Sequence, residues 1–304
     1  MSASRVLAAP VILGASGLVG GAFLAALRAR GAAVRGTYRT QPGPGLDPLD
    51  LAGEGAAYLD SVAPSLVILT SALTHVDYCE SHPEETHERN VRQLEPIVAW
   101  CGRAGVPLVF FSTDYLFDGR EGPYDEDTAP HPLNVYGRSK LEGEALVRAL
   151  GRHAVLRITN VFDIGFDVKN FLIRCLDHLR QRKPLIVPGD QLATPTYATW
   201  LAAETLDLLA RGAIAAPGTP GVLHLGCDEM ISRVDFATRV AAILGADASI
   251  VEGKPTAELH QAAPRPLMGG LRNDRLKRLL GVAAIRFDDA LADLTPRLRE
   301  AYRA

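Results

Sequence analysis

The chain has 304 residues, a length that suits one large α/β domain carrying a smaller appendage. Apolar residues make up 47% of the chain and charged residues 22%, which excludes the disordered class. The net charge of −3 gives no reason to expect nucleic acid or an anionic membrane as a partner. Four cysteines and eight histidines lie scattered without metal-ligand spacing, so we predict no metal site and a reducing compartment, the cytoplasm.

The segment Val6–Leu27 carries no charged residue and has the length of a membrane-spanning helix. Pro10 and several glycines interrupt it, however, and a short β-like run, Val11–Leu13, follows the proline. A buried strand, a tight turn and a packed helix explain these residues better than a membrane span. We therefore predict no association with a membrane.

Short apolar runs alternate with helical stretches through the first half of the chain. The predicted strands are Val11–Leu13, Ala33–Tyr38, Ser65–Thr70, Leu108–Ser112 and Ala154–Ile158, and the predicted helices are Leu18–Arg30, Leu51–Val62, Pro83–Ala104 and a stretch from Arg138 to Leu150. Strands that are apolar throughout suit burial on both faces of a parallel sheet. The repeated β–α units predict a doubly wound α/β sheet, the Rossmann arrangement, with its ligand crevice at the carboxyl ends of the strands.

A glycine-rich turn, G-x-x-G-x-x-G, lies between the first predicted strand and the first predicted helix. Glycines let the backbone turn sharply and approach a pyrophosphate, whose charge the amide groups at the helix N-terminus meet. A helix-packing seam also uses glycines in this way and is the alternative. The pattern predicts a dinucleotide site. Its contact residues are Gly14, Ser16, Gly17, Leu18, Val19 and Gly20.

Arg39 follows the second predicted strand, in a stretch without an acidic residue. An NAD site usually has a carboxylate here for the ribose hydroxyls, whereas an arginine can face the 2′-phosphate of NADP. We therefore predict NADPH as the cofactor, with NADH as the alternative. A solvated surface arginine is the other interpretation of Arg39.

Tyr136 and Lys140 form a Y-x-x-x-K pair. Residues four apart lie on one face of a helix, so the phenol and the ammonium group can enter the same pocket. A free tyrosine titrates near pH ~10, and a nearby cation lowers that pKa towards the range of a general acid. Ser112-Thr113, at the end of an apolar strand, places hydroxyl groups at the same edge of the sheet. Together with the glycine turn, these residues predict an NAD(P)-dependent oxidoreductase with Tyr136 and Lys140 at its catalytic centre, whereas a surface pair four residues apart is the alternative for Tyr136 and Lys140.

Beyond residue 160 the pattern loosens, because prolines such as Pro184, Pro188 and Pro195 break the chain into shorter pieces. We predict an NAD(P)-binding domain over residues 1–160 and a smaller α/β substrate-binding domain over most of residues 161–304. Some segments of the second part are expected to return to the first domain. Exposed helices beside the Y-x-x-x-K helix would permit a homodimer.

Several motifs are similar to those of the extended short-chain dehydrogenases/reductases, and within them of the dTDP-4-dehydrorhamnose reductases. Ser112–Gly119 is nearly that family's S-T-D-Y-V-F-D-G, and Pro132–Glu144 resembles its P-x-x-x-Y-G-x-x-K-x-x-G-E. Val76–Glu84 resembles V-D-x-A-E-x-x-P-E, while Gln191–Thr196 and Arg265-Pro266 look like later elements of the family. The similar stretches run from the glycine turn almost to the C-terminus.

The resemblance implies a hydride transfer to C4 of a nucleotide-linked 4-keto-6-deoxysugar. It implies that Tyr136 protonates the resulting oxyanion, that Lys140 tunes Tyr136 and binds ribose, and that Thr113 hydrogen-bonds the carbonyl group. The other residues to which it gives a role are Ser71 and Ala72 beside the cofactor, Asp114 and Tyr115 in the sugar pocket, and Arg265 at the substrate diphosphate.

Asn160 departs from the pattern, because the family usually carries a tryptophan there. A small polar group replaces a large stacking surface, so we expect Asn160 to line a pocket for a different sugar or a different sugar orientation. Two other functions stay open. The regulatory subunit of methionine adenosyltransferase resembles these reductases and binds NADP without turnover. A nucleotide-sugar epimerase or dehydratase would retain its NAD, although a Thr-Asp-Tyr run lacks the glutamate typical of the dehydratases.

Overall fold

A computed structural model describes residues 6–165, 170–281 and 283–303 of the chain. Its centre is a seven-stranded sheet in which all neighbouring strands are parallel. In the order in which they lie side by side, the strands are Leu46–Pro48 (β3), Arg35–Tyr38 (β2), Pro10–Leu13 (β1), Leu66–Leu69 (β4), Leu108–Thr113 (β5), His153–Ile158 (β6) and Val222–His224 (β9). The prediction of a doubly wound α/β sheet is confirmed. The strand order reverses between β1 and β4, and ligands bind at this point in open α/β sheets.

The helices flank this sheet or form a second layer beyond it. They are Leu18–Ala29 (α1), Leu51–Val62 (α2), Val76–Ser81 (α3), Pro83–His87 (α4), Glu95–Ala104 (α5), Val135–Arg148 (α6), Phe171–Gln181 (α7), Ala198–Ala210 (α8), Arg233–Leu244 (α9), Asp274–Leu280 (α10) and Phe287–Arg303 (α11). Two small sheets join Leu185–Pro188 (β7) to Val251–Lys254 (β11) and Leu192–Ala193 (β8) to Ile231–Ser232 (β10). Within the described residues, no helix has both the length and the apolar character needed to cross a bilayer.

The central strands are apolar throughout because both faces of the sheet are covered. In β1, Val11 and Leu13 pack with α2 and α5 on one face, while Ile12 packs with α1 and α8 on the other. Each such side chain contributes about 1.5–3 kcal/mol when fully buried. A separate apolar cluster joins α7, α9 and α11 around β7. Helix α8 and strand β9 pack onto the large sheet although they follow residue 160, and the domain boundary stays a prediction.

Two predicted helices differ from the structure. The stretch predicted as helical over Pro83–Ala104 is not one uniform α-helix, because a wide π-type turn at Glu88–Arg92 separates α4 from α5. Pro96 lies in the first turn of α5, where its missing N–H is tolerated, and it cannot donate to the preceding turn. Helix α6 begins at Val135 and not at Arg138, because the side chain of Asn134 caps it by accepting the backbone N–H of Gly137.

Candidate active site

The glycine turn is packed so closely that side chains do not fit. Gly14 has φ +96°, and a Cβ there would lie 2.8 Å from the backbone nitrogen of Ser71. A Cβ on Gly20 would lie 2.2 Å from the carbonyl oxygen of Gly14. Gly17 is the N-cap residue that precedes α1 and has no side chain to cap it, so the first-turn amide groups are available to an anion.

Three adjoining cavities lie at the carboxyl edge of the sheet. The inner cleft, about 480 Å³, is lined by the start of α1 and by the end of β5. The outer cleft, about 800 Å³, lies between α7, the start of α9 and the segment 261–265. The side groove, about 180 Å³, runs along the glycine turn and the end of β2.

The structure brings most of the predicted site residues into these cavities. Those in the inner cleft are Gly17, Leu18, Val19, Gly20, Ser71, Ala72, Thr113, Asp114, Tyr115, Tyr136, Lys140 and Asn160. Gly14, Ser16 and Arg39 line the side groove, which Ser71 and Ala72 share. Arg265 lines the outer cleft, which Tyr115 and Asn160 also line.

Tyr136 lies in the first turn of α6 and is almost fully buried. The turn is fixed from two sides: Asn134 caps it, and the backbone N–H of Val135 donates to Glu80 at 2.8 Å. The ring of Tyr115 meets that of Tyr136 edge-on, with 5.9 Å between centroids. Burial raises the pKa of Tyr136, and a hydrogen bond with Thr113 opposes this shift. The phenol is therefore protonated at neutral pH in this structure.

Lys140 follows one helical turn later, 4% exposed. Its ammonium nitrogen lies 4.0 Å from the centroid of the Phe110 ring. Burial lowers the pKa of Lys140 to about 7, although the carboxylate of Glu144 favours the charged form. A lysine that titrates near neutral pH can hold or release a proton with little cost in free energy.

The end of β5 holds a second pair of polar groups. The hydroxyl of Thr113 donates to Asp114 Oδ1 at 3.2 Å and accepts the backbone N–H of Tyr115 at 3.2 Å. Burial raises the pKa of Asp114 to about 6, while hydrogen bonds from Thr159 and Thr113 oppose the shift. Asp114 thus lies beside the phenol as a carboxyl group that titrates below neutral pH.

Arg233 borders both the inner and the outer cleft, and sequence reasoning missed it. It is the first residue of α9, where Ser232 and Asp235 form a capping box. That box predicts the start of a helix, but no local signal tells which cleft an arginine at this position reaches. Asn160 has a left-handed backbone (φ +42°), and its Oδ1 accepts a hydrogen bond from Arg233 Nη2 at 2.9 Å.

Arg265 is held by two neighbours. Its Nη2 donates to Asp77 Oδ2 at 2.7 Å, and its Nε donates to Gln261 Oε1 at 2.8 Å. Asp77 also accepts the backbone N–H of Ala263, so the segment before Arg265 is tied to α3. A large part of this guanidinium is therefore used to hold the wall of the outer cleft.

A doubly wound sheet, a glycine turn and a buried Tyr–Lys pair on one helix define the short-chain dehydrogenase/reductase class. The family model described as "RmlD substrate binding domain" matches residues 9–300, and the chain belongs to this family. The resemblance stated from the motifs is confirmed at the level of the family.

Similar proteins extend over nearly the whole chain. The "probable low-salt glycan biosynthesis reductase Agl14" of Haloferax volcanii is 32% identical, with 93% of this chain and 96% of that protein covered. Subunit beta of methionine adenosyltransferase 2 from Xenopus laevis is 30% identical over 88% of this chain and 81% of its own length. The crystal structure of a dTDP-4-dehydrorhamnose reductase from Clostridium acetobutylicum superposes with a TM-score of 0.85 at 27% identity, covering 96% of this chain and 99% of that one.

Proposed function

We propose that the chain reduces the keto group of a nucleotide-linked 4-keto-6-deoxysugar, with NADPH as its reductant and NADH as the alternative. The convergence of Thr113, Tyr136 and Lys140 with the glycine turn on one inner cleft carries this proposal. The names of the reductases to which the chain is similar support the substrate class. The four free, buried cysteines support a reducing compartment, the cytoplasm.

The residues along the sheet edge suit a dinucleotide. A Cβ on Gly14 or Gly20 would collide with the neighbouring backbone, so the tight turn requires glycine at both positions. The first-turn amide groups of α1 have no side-chain cap and are available to phosphate oxygens. The exposed Arg39 on the side groove is the residue we assign to the 2′-phosphate of NADPH. Ser71 and Ala72 would lie against the cofactor between the groove and the inner cleft. When bound there, NADPH supplies a hydride.

The chain itself supplies the proton. Thr113 and Tyr136 would hold the substrate carbonyl oxygen with their hydroxyl groups. Burial raises the pKa of Tyr136, so the phenol is protonated before the substrate binds. A general acid works best with a pKa near the operating pH, so the charge of Lys140 would have to lower this pKa during the reaction. As negative charge develops on the oxygen, Tyr136 transfers its proton, and the nearby Lys140 stabilises the phenolate that remains.

The substrate side of the inner cleft would hold the sugar between Asp114, Tyr115 and Asn160. The nucleotide part would then extend into the outer cleft, towards Arg265. Arg265 has one nitrogen, Nη1, that is buried without a hydrogen-bond partner. Such a group gains free energy when an acceptor reaches it, which supports the assignment of Arg265 to the substrate diphosphate.

A binding function without turnover is the second candidate. The 30% identity to subunit beta of methionine adenosyltransferase 2 favours it, because that relative is named as a subunit of another enzyme. The two candidates differ in one observable. A binding protein would hold NADPH and oxidise none of it in the presence of 4-keto sugars.

The test is NADPH and NADH oxidation with a panel of dTDP- and UDP-linked 4-keto-6-deoxysugars. Tyr136→Phe should lower the rate by about a hundredfold or more, because it removes the proton donor. Tyr58→Phe is the matched control, since the Tyr58 hydroxyl donates to Asp47, away from the clefts. Tight NADPH binding without turnover of any sugar would favour the binding function instead.

A further inference from the structure

The guanidinium of Arg233 is fixed at the junction of the inner and outer clefts. Its Nη2 donates to Asn160, and its Cζ lies 4.7 Å from the centroid of the Phe171 ring. The two contacts hold the planar group from its edge and from its face. An arginine held in this way has lost rotamer freedom before any ligand arrives, which favours binding.

Arg233 forms no ion pair with any carboxylate in the described parts of the chain. Arg239, on the same helix, behaves differently: it pairs with Glu229 at 2.7 Å and with Asp288 at 3.1 Å. Arg233 is half-buried, and burial lowers its pKa, whereas Tyr115 and the carboxylate of Asp114 favour its charged form without forming an ion pair with it. A half-buried guanidinium that is held in place and has no ion-pair partner gains free energy when an anionic ligand reaches it.

A second observation points to an anion in the same place. The side chain of Arg265 is 10% exposed, and its Nη1 is buried without a hydrogen-bond partner. Arg174 and Lys183 also line the outer cleft, whereas Asp177 is the one carboxylate residue among those lining it. The residues lining the outer cleft therefore carry more positive than negative charge, and Arg233 lies where this cleft meets the inner one.

We propose that Arg233, positioned by Asn160, binds an anionic oxygen group of the substrate at the junction of the two clefts. The proposal rests on the proposed function, since it takes the sugar to lie in the inner cleft. Two parts of a nucleotide sugar offer such oxygens: the diphosphate, which the proposed substrate has, and a C6 carboxylate, which a uronic sugar has and a 6-deoxysugar lacks. Arg233 is then a binding residue, and Asn160 is the positioning residue that aims it.

The first measurement is calorimetric binding of dTDP and of UDP, without any sugar, to the full chain saturated with NADP⁺. Arg233→Gln should weaken binding by about 10- to 100-fold, the usual loss for a charge-assisted hydrogen bond. Arg239→Gln is the matched control, because it removes the same charge from α9 at a site outside the clefts. Its affinity should stay at the level of the unsubstituted chain.

The second measurement compares UDP-glucuronic acid with UDP-glucose, which lacks the carboxylate. Equal losses for UDP and for both sugars in Arg233→Gln assign the guanidinium to the diphosphate. A loss confined to UDP-glucuronic acid assigns it to a sugar carboxylate and replaces the 6-deoxysugar of the proposed function with a uronic sugar. Unchanged affinity for every one of these ligands, or no binding to the unsubstituted chain, overturns the proposal. These experiments measure binding and not turnover. A failure of the reductase proposal would therefore appear only in the NADPH oxidation assay, and the two failures can be told apart.

The positioning role of Asn160 has its own readout. Asn160→Gly keeps the left-handed backbone accessible and removes the side chain. It should weaken dTDP binding by about threefold to tenfold, less than Arg233→Gln does. The double variant should bind no more weakly than Arg233→Gln alone, since Asn160 acts through Arg233. Additive losses would contradict this coupling.

Discussion

The inner and outer clefts are built in different ways. The inner cleft takes most of its residues from the ends of β4, β5 and β6 and from the starts of α1 and α6, and Asp114, Tyr136 and Lys140 are buried in it. The outer cleft is assembled from α7, the start of α9 and the segment 261–265, which are far apart in the chain. The edge of the parallel sheet therefore positions most of the first cleft, whereas packing between elements outside that sheet forms the second.

The largest effect expected from this difference is on the glycine turn. Gly20→Ala places a methyl group 2.2 Å from the carbonyl oxygen of Gly14, so the turn must open. NADPH binding, followed by cofactor fluorescence, should weaken by about a hundredfold or more. Binding of dTDP to the outer cleft should persist if the two clefts are independent.

Gly151→Ala is the control for this change, because a Cβ at Gly151 meets no atom within 4 Å. It should leave NADPH binding as it is. A parallel loss of NADPH and dTDP binding in Gly20→Ala would show instead that the two clefts are coupled, and the comparison would fail.

Much of the fold and of the inner cleft was predictable because short-range sequence patterns determine them. The turn Gly14–Gly20 and the pair Tyr136–Lys140 are short-range patterns, and strand–turn–helix geometry converts each into a local shape. Arg233 was not predictable, because its approach to Asn160 joins two segments 73 residues apart. The break in the helix predicted over Pro83–Ala104 was missed because the apolar pattern continues across the wide turn.

The second largest effect is expected at the buried ion pair that joins α6 to β6. Glu144 and Arg157 form a bidentate ion pair with nitrogen–oxygen distances of 2.9 and 2.8 Å, and both side chains are at most 2% exposed. Glu144→Gln leaves a buried guanidinium without its counterion and should lower the free energy of unfolding by about 3–5 kcal/mol. Urea denaturation, monitored by circular dichroism, measures this change in the free energy of unfolding.

The exposed pair of Arg92 and Glu88 is the reference for that measurement, since their side chains are 65% and 45% exposed. Glu88→Gln should change the free energy of unfolding by less than about 0.5 kcal/mol. Equal losses in the two variants would mean that water reaches the buried pair. The helix that carries Tyr136 and Lys140 would then lack a dry attachment to β6.

The smallest effect is a pH dependence that buried Lys140 imparts to the chain without cofactor. Its pKa is about 7 in the folded chain against an ordinary value of 10.5, so between these pH values the unfolded chain binds more protons. The free energy of unfolding should therefore rise with pH from about 7 upward, by at most about 1.4 kcal/mol per pH unit. Lys140→Met removes this contribution.

Urea denaturation of the unsubstituted chain and of Lys140→Met at pH 6, 7, 8 and 9 gives the difference between their free energies of unfolding, in which titrations common to both proteins cancel. This difference should be constant below pH 7, and above pH 7 the stability of the unsubstituted chain should increase relative to that of the variant. Parallel curves throughout would show that Lys140 keeps its charge when folded, and that the inner cleft is as open to solvent as the outer one.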